Sequence, residues 1–292
     1  MRGSLVSAIV VAVGALLAHG GTHAMQRQQP TTSPRLYVFD CGTLEGDPAR
    51  FNMKREEMGT TDMSVACYLV VHPNGMLIWD VGAVPDTDVK PGNQRTRYHI
   101  VLPTTERYVT LAKPLRAQLA DAGYTPRDVT YVALSHYHYD HTANANAFAS
   151  ATWLVRQVEH DAMFAEKPPD LIRRATFDSL RNSKTVIINT DDYDVFRDGS
   201  VVIKWAPGHT PGHQVLYVKL PKTGPVLLSG DLYHYPEERR LDRVPTFEFD
   251  AAQTRRTRAA IDTFLTVTRA QLWIQHDLTA TGALKKAPSF YE

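Results

Sequence analysis

Short apolar, β-rich runs recur along the chain, separated by Asp, Gly and Pro turns. Arg35–Asp40, Val65–Val71 and Met76–Val81 are the first three, and Pro73-Asn74-Gly75 between the last two predicts a hairpin. Pro114 to Ala122 predicts a helix, with Pro in its first turn and Gly123 just past its end. Thr130–Leu134 and Thr152–Val155 are the next strands, and a helix runs from the second to about Met163. The second half repeats the style with Thr185–Ile188, Val201–Trp205, Val215–Leu220 and Val226–Ser229. Asp250 then caps a helix to about Thr268, with Ile261, Phe264, Leu265 and Val267 on one side, and Leu272–Gln275 is a last short strand. Two mixed β/α halves predict an α/β (α+β) fold of stacked sheets with helices outside.

Composition adds bounds. The 292 residues, 43% hydrophobic, suffice for one large domain. Residues 1–24 are expected to be a cleaved signal peptide. Arg2 gives a positive start, Leu5 to Ala18 is almost wholly apolar, and Thr22-His23-Ala24 ends it. That apolar stretch is short for a membrane span, so no stable membrane association is expected once the signal is removed. Residues 25–34 are expected to be a flexible leader, and 35–292 the catalytic domain. Export to the periplasm or medium follows. With 32 Lys plus Arg against 31 Asp plus Glu, net charge is +1, which gives no reason to expect nucleic acid. Export permits a Cys41–Cys67 disulfide. Cys67, however, sits in a buried-strand pattern, where the plainer expectation is a small apolar core residue.

The 12 histidines change the picture most. The run His136-Tyr137-His138-Tyr139-Asp140-His141 follows a predicted strand. Two imidazoles flanking one residue can face one ion, and Asp140 and His141 can reach a second beside it. Imidazole with carboxylate suits Zn2+, and also Mn2+, Fe2+ or Co2+. Further candidates follow other strands: His209 in Pro207-Gly208-His209-Thr210-Pro211-Gly212-His213, Asp231 after Ser229-Gly230, and His276 after Leu272–Gln275. Three imidazoles (His136, His138, His209) would serve one ion. Asp140, His141 and His276 would serve the other, with Asp231 bridging. Two ions about 3.5–4 Å apart hold a hydroxide, because metal binding lowers the pKa of water to about 7. The predicted chemistry is metal-assisted hydrolysis of an ester-like bond.

This order and spacing resembles the metallo-β-lactamase superfamily from about Leu36 to the C-terminus, and within it most nearly the N-acyl homoserine lactonases. Cys67-Tyr68-Leu69-Val70, Asp80-Val81-Gly82, the His run, Pro207–Gln214, Gly224–Leu228 and His276-Asp277 carry the likeness. The resemblance implies an αββα sandwich, two zinc ions and quorum quenching: opening of an acyl homoserine lactone by a metal-bridging hydroxide. Other implied substrates are further lactones and esters or, as in the β-lactamases, a β-lactam. It also implies that His209, not His213, is a ligand, and that Asp80 supports the metal loop by hydrogen bonding.

One position departs from the pattern. The lactonases place a substrate-contacting tyrosine three residues after the bridging Asp; here that residue is His234, between Tyr233 and Tyr235. Any of the three could supply the donor to the developing oxyanion. Phe51, Met53, Met58 and Tyr98 are candidate liners of an apolar acyl groove. Asp231 weighs against a β-lactamase, whose bridging position typically lacks a carboxylate. The complete ligand set weighs against a mononuclear iron oxygenase. Nothing in the sequence sets the oligomeric state, monomer or homodimer.

Overall fold

The computed structural model describes residues 31–92 and 94–292. The expected signal peptide and most of the expected leader therefore lie outside the described residues. Of the first sheet, β1 is Arg35–Leu44, β2 Met63–His72, β3 Gly75–Trp79, β4 Thr96–Val101, β5 Glu106–Leu111, β6 Tyr131–Ala133, β7 Thr152–Val155 and β8 Thr185–Ile187. The second sheet has β9 Asp192–Asp194, β10 Val201–Trp205, β11 Gln214–Leu220, β12 Gly224–Leu228 and β13 Gln271–Trp273, and a short β14, Phe290–Tyr291, returns to pair with β1. The helices are α1 Leu115–Asp121, α2 Tyr139–Thr142, α3 Gln157–Phe164, α4 Pro236–Leu241, α5 Ala251–Thr268 and α6 Leu278–Ala283.

Strand alternation builds the layers. On β1 and β2, Leu36, Val38, Ala66, Tyr68 and Val70 face the second sheet, where Ile203, Leu216, Val218, Val226 and Leu228 meet them. The intervening residues Tyr37, Phe39, Cys67 and Leu69 face away, into a second core with α1 and α3. Every residue of β2 is buried, because both of its faces are covered. On the far side, Val215, Tyr217 and Leu227 pack against Ile261 and Leu265 of α5. The result is the expected αββα sandwich.

Most predicted elements appear within a residue or two. One predicted apolar residue is misplaced: Val267 is 78% exposed. The buried stripe of α5 runs through Thr254, Thr257, Arg258, Ile261 and Leu265, and Val267 lies off that stripe. The cysteines also differ from the plainer expectation, since Cys41 and Cys67 form a disulfide with Cα atoms 6.0 Å apart. The pairing steps from Asp40↔Ala66 to Thr43↔Ser64, so β1 carries one extra residue, a bulge at Gly42 with φ +127°. Phe39 pairs with Cys67, and Cys41 follows two residues later on the same outward face, diagonal to Cys67. Among the described residues, no helix is long and apolar enough to cross a membrane.

Candidate metal centre

Two parallel strand pairs aim the loops at one point. β3 pairs with β6 with Trp79 opposite Ala133, and β12 with β13 with Leu228 opposite Trp273. The segments after these strands therefore leave at the same edge, carrying Asp80, His136–His141, Asp231 and His276. The loop after β10 brings His209 to the same place. There His136, His138, His209 and Asp231 form one buried group of potential ligand atoms, and Asp140, His141 and His276 another. These are the two sets that the sequence predicts.

Asp231 joins them. Its Oδ2 lies 3.5 Å from His136 Nε2 and 3.3 Å from His209 Nε2, while its Oδ1 lies 3.1 Å from His141 Nε2 and 3.0 Å from His276 Nε2. Asp140 Oδ2 completes the second set, 3.7 Å from His276 Nε2 and 3.9 Å from His141 Nε2. In the first set His209 Nε2 faces His138 Nδ1 at 3.0 Å.

The opposite nitrogens are engaged. His141 Nδ1–H donates to Asp80 at 2.9 Å, His209 Nδ1–H to Glu248 at 2.7 Å, and His276 Nδ1–H to the Ser64 carbonyl at 2.6 Å. His136 Nδ1 pairs with Ser135 Oγ at 3.0 Å. The bonds to Asp80, Glu248 and the Ser64 carbonyl turn Nε2 of His141, His209 and His276 toward the centre, where it is a lone pair once a cation takes the place of its proton. Yet the Nε2 atoms of His136, His141 and His276, and Asp231 Oδ1, are buried without a hydrogen-bond partner. Converging buried acceptors are costly unless something positive sits between them. These residues fit a pair of divalent cations. Burial, reinforced by neighbouring imidazoles, pushes His136 and His138 well below the ordinary imidazole pKa, so both are neutral. Burial also opposes a charge on His141 and His209, but Asp231, Asp80 and Asp140 outweigh it at the first and Glu248 and Asp231 at the second, raising both. Burial alone would raise Asp231, but His141, His276, His136 and His234 hold its carboxyl well below the usual range.

Supporting residues frame the ligands. Asp80, fully buried, also accepts from Ser135 N at 2.6 Å and Gln275 Nε2 at 2.9 Å. His213 is turned from the centre. Its Nδ1–H donates to the Ala206 carbonyl at 2.8 Å, and its Nε2 accepts the backbone N–H of Asp231 at 3.0 Å. Glu159 accepts from Tyr137 N, Thr210 Oγ1 and Gly212 N at 2.8–2.9 Å, tying the His run to the His209 turn. Gly208 permits that turn: its φ is +135°, and a Cβ there would lie 2.4 Å from Thr254 N. Sequence reasoning missed Glu159, Glu248 and Gln275. As single Glu or Gln residues outside any motif they carry no local signal.

His234 occupies the departing position. Its Nε2 lies 3.1 Å from Asp231 Oδ2, and its Nδ1 and backbone N–H lie 3.1 Å from the carboxylate of Glu238, which also binds Arg258. Burial opposes a charge on His234, but Asp231 and Glu238 outweigh it and push its pKa up to about 10. The two tyrosines are elsewhere, a correction to the expectation that either could serve. Tyr233 lies under the Arg258 guanidinium at 4.2 Å, in the core against α5. Tyr235 donates its hydroxyl to the Thr61 carbonyl at 2.5 Å. A cleft of about 190 Å3 opens on His138, Asp140, Asp231, His234 and His276. Of the expected groove liners only Phe51 reaches it; Met53 and Met58 are buried in the core, and Tyr98 packs against that core.

Comparison with known proteins agrees. A family model described as Metallo-beta-lactamase superfamily matches residues 60–271. An N-acyl homoserine lactonase, AttM, of Azorhizobium caulinodans is 31% identical over 272 residues, covering 89% of this chain and 100% of the relative. An N-acyl homoserine lactonase of a Bacillus species is 30% identical, covering 75% and 84%. Among solved structures, an N-acyl homoserine lactone hydrolase with N-hexanoyl-L-homoserine at its catalytic metal centre superposes with a TM-score of 0.72 at 23% identity, covering 89% and 100%. AidC, a dizinc quorum-quenching lactonase, gives 0.64 at 18%, covering 91% and 96%.

Proposed function

The chain belongs to the metallo-β-lactamase superfamily, and from that premise we propose that it is a dizinc lactonase opening the ring of N-acyl homoserine lactones, a quorum-quenching activity. The observation that carries the reading is Asp231, whose two oxygens face two separate sets of ligand atoms. Zinc ions held there by His136, His138, His209 and Asp231, and by Asp140, His141, His276 and Asp231, would supply a hydroxide near neutral pH and a Lewis acid for the carbonyl. The curated relatives named above are lactonases, which favours a cyclic ester over a β-lactam.

The chain's own residues then have defined tasks. His234 replaces tyrosine as the donor. With the ring protonated, Glu238 accepts its Nδ1–H, and its Nε2–H, 3.1 Å from Asp231 Oδ2, lies on the cleft wall, where negative charge develops on the ring carbonyl oxygen. Asp140, on the cleft wall, is placed to take the proton released by attack and pass it to the departing ring oxygen. Asp80, Glu248 and Ser64 orient three of the ligand imidazoles before substrate arrives.

The reading also includes export. The apolar N-terminal stretch supports it, as does the Cys41–Cys67 bond, which suits an oxidising compartment. The test is a panel of acyl homoserine lactones, with a chromogenic β-lactam as control, run on protein of measured metal content. Ring opening with two zinc ions per chain is expected. Protein carrying two zinc ions that opens no acyl homoserine lactone would refute it.

A further inference from the structure

The cleft that opens on the ligands also carries cationic and phenolic donors whose capacity is wholly or partly unused. Arg50, in the 3-10 turn Pro48–Phe51, lies over the Phe247 ring at 4.4 Å. Among the described residues its guanidinium has no hydrogen bond and no ion pair. Arg107 on β5 uses Nη1 on Thr105 Oγ1 at 2.6 Å and on its neighbour's carbonyl at 2.8 Å, but its Nη2 is buried and unpartnered. Tyr139, between the ligands His138 and Asp140, is 2% exposed, and its hydroxyl has no partner. All three line the same cleft.

The nearby carboxylates do not neutralise them. Glu45 is held by Arg97 at 2.5 and 2.9 Å, Glu106 by His99 at 3.0 Å, and Glu248 by His209. Asp140 faces the ligand group, while Asp47, on the rim, caps the turn that carries Arg50. Arg50 also borders an adjoining cavity of about 550 Å3, whose wall includes Thr104, Thr105, Asp170 and Thr246. Leu171, Phe247 and Phe249 share that wall, so it is a mixed surface rather than the wholly apolar groove expected for an alkyl tail. Two unpaired guanidiniums and a buried phenol beside each other are the donor set that binds a carboxylate.

We propose that Arg50, Arg107 and Tyr139 form a carboxylate subsite, and that the preferred substrates are lactones whose acyl arm ends in an acidic group rather than a long alkyl chain. This rests on the lactonase reading and names the arm of its substrate. Nothing covalent is added: the guanidiniums and phenol only position the arm while the ring opens.

The test compares N-hexanoyl homoserine lactone with its isosteric partner carrying a terminal carboxylate, the N-adipoyl lactone, on the zinc-loaded enzyme. The expected ratio of kcat/KM favours the acidic substrate by at least about tenfold. Arg50→Met and Arg107→Met, checked for wild-type zinc content, should each bring the ratio toward one, and Tyr139→Phe should lower it less. Calorimetric titration of the zinc-loaded protein with adipic acid monoamide, against hexanamide as the control without the carboxylate, reads the subsite without turnover. Equal kcat/KM for the two lactones, with no monoamide binding, overturns the proposal and leaves the lactonase reading intact. Binding that Arg107→Met abolishes, in an enzyme that opens neither lactone, upholds the subsite and overturns the lactonase reading.

Discussion

Replacing Asp80 by Asn tests how far a residue that touches no substrate controls the centre. The carboxylate accepts three hydrogen bonds, from Ser135 N through one oxygen and from His141 Nδ1 and Gln275 Nε2 through the other. An amide offers one acceptor oxygen and one NH2. If the oxygen stays on His141 and Gln275, the NH2 meets the Ser135 N–H and the loop carrying the ligands loses its anchor. If it turns to Ser135, the NH2 faces His141 Nδ1. The imidazole must then accept there and carry its proton on Nε2, where the lone pair is needed for metal. Either arrangement loses at least one charge-assisted bond in a fully buried setting, about 1.5–3 kcal/mol. That corresponds to roughly 10- to 100-fold in affinity for the ion held by Asp140, His141 and His276. With zinc bound as proposed, competitive titration with a chromogenic chelator resolves two equivalents, and only the step of that ion should move. Unchanged affinities in a folded Asp80→Asn protein, or a larger loss at the His136–His138–His209 site, would refute the reasoning.

Glu248→Gln is the mirror experiment: it removes the acceptor of His209 Nδ1–H, so the same titration should show the other zinc weakened by roughly 10-fold or more. His234→Phe should lower kcat on an acyl homoserine lactone by about 100-fold with zinc content retained, as loss of one oxyanion donor does; His234→Tyr should recover part of it, and a kcat within twofold of wild type for the Phe variant would remove His234 from the mechanism. The double variant Cys41→Ala/Cys67→Ala releases a crosslink spanning 26 residues, worth about 3.5 kcal/mol by loop-closure entropy. Denaturant unfolding of both proteins reads this directly, and coincident midpoints would show that the bond adds no stability.

The ligands were legible because their spacing is dictated by strand ends. His136, His138, Asp140 and His141 occupy one short segment, and His209, Asp231 and His276 each follow an apolar run that reads as a strand. The β4–β5 hairpin was not legible. It is a ribbon whose residues are mostly exposed or half-buried, so Thr96–Val101 and Glu106–Leu111 have no core-facing repeat to betray them. Its absence from the prediction hid Arg107, and with it the character of the cleft. The disulfide was masked by the bulge at Gly42, a register change that depends on the partner strand. The choice among Tyr233, His234 and Tyr235 needed tertiary contacts: Arg258 takes the first ring and Thr61 the last hydroxyl.

The ligand loops leave from two different sheets. His136 to His141 hang from the first, while His209, Asp231 and His276 hang from the second. With zinc bound as proposed, each ion is therefore a clasp across the sandwich, and parting the layers means surrendering both. A ligand at a thousandfold its dissociation constant adds about 4 kcal/mol to the folded state, comparable with the loop-closure value of the Cys41–Cys67 bond. Metal scarcity would then act twice, stopping turnover and shortening the life of the enzyme itself.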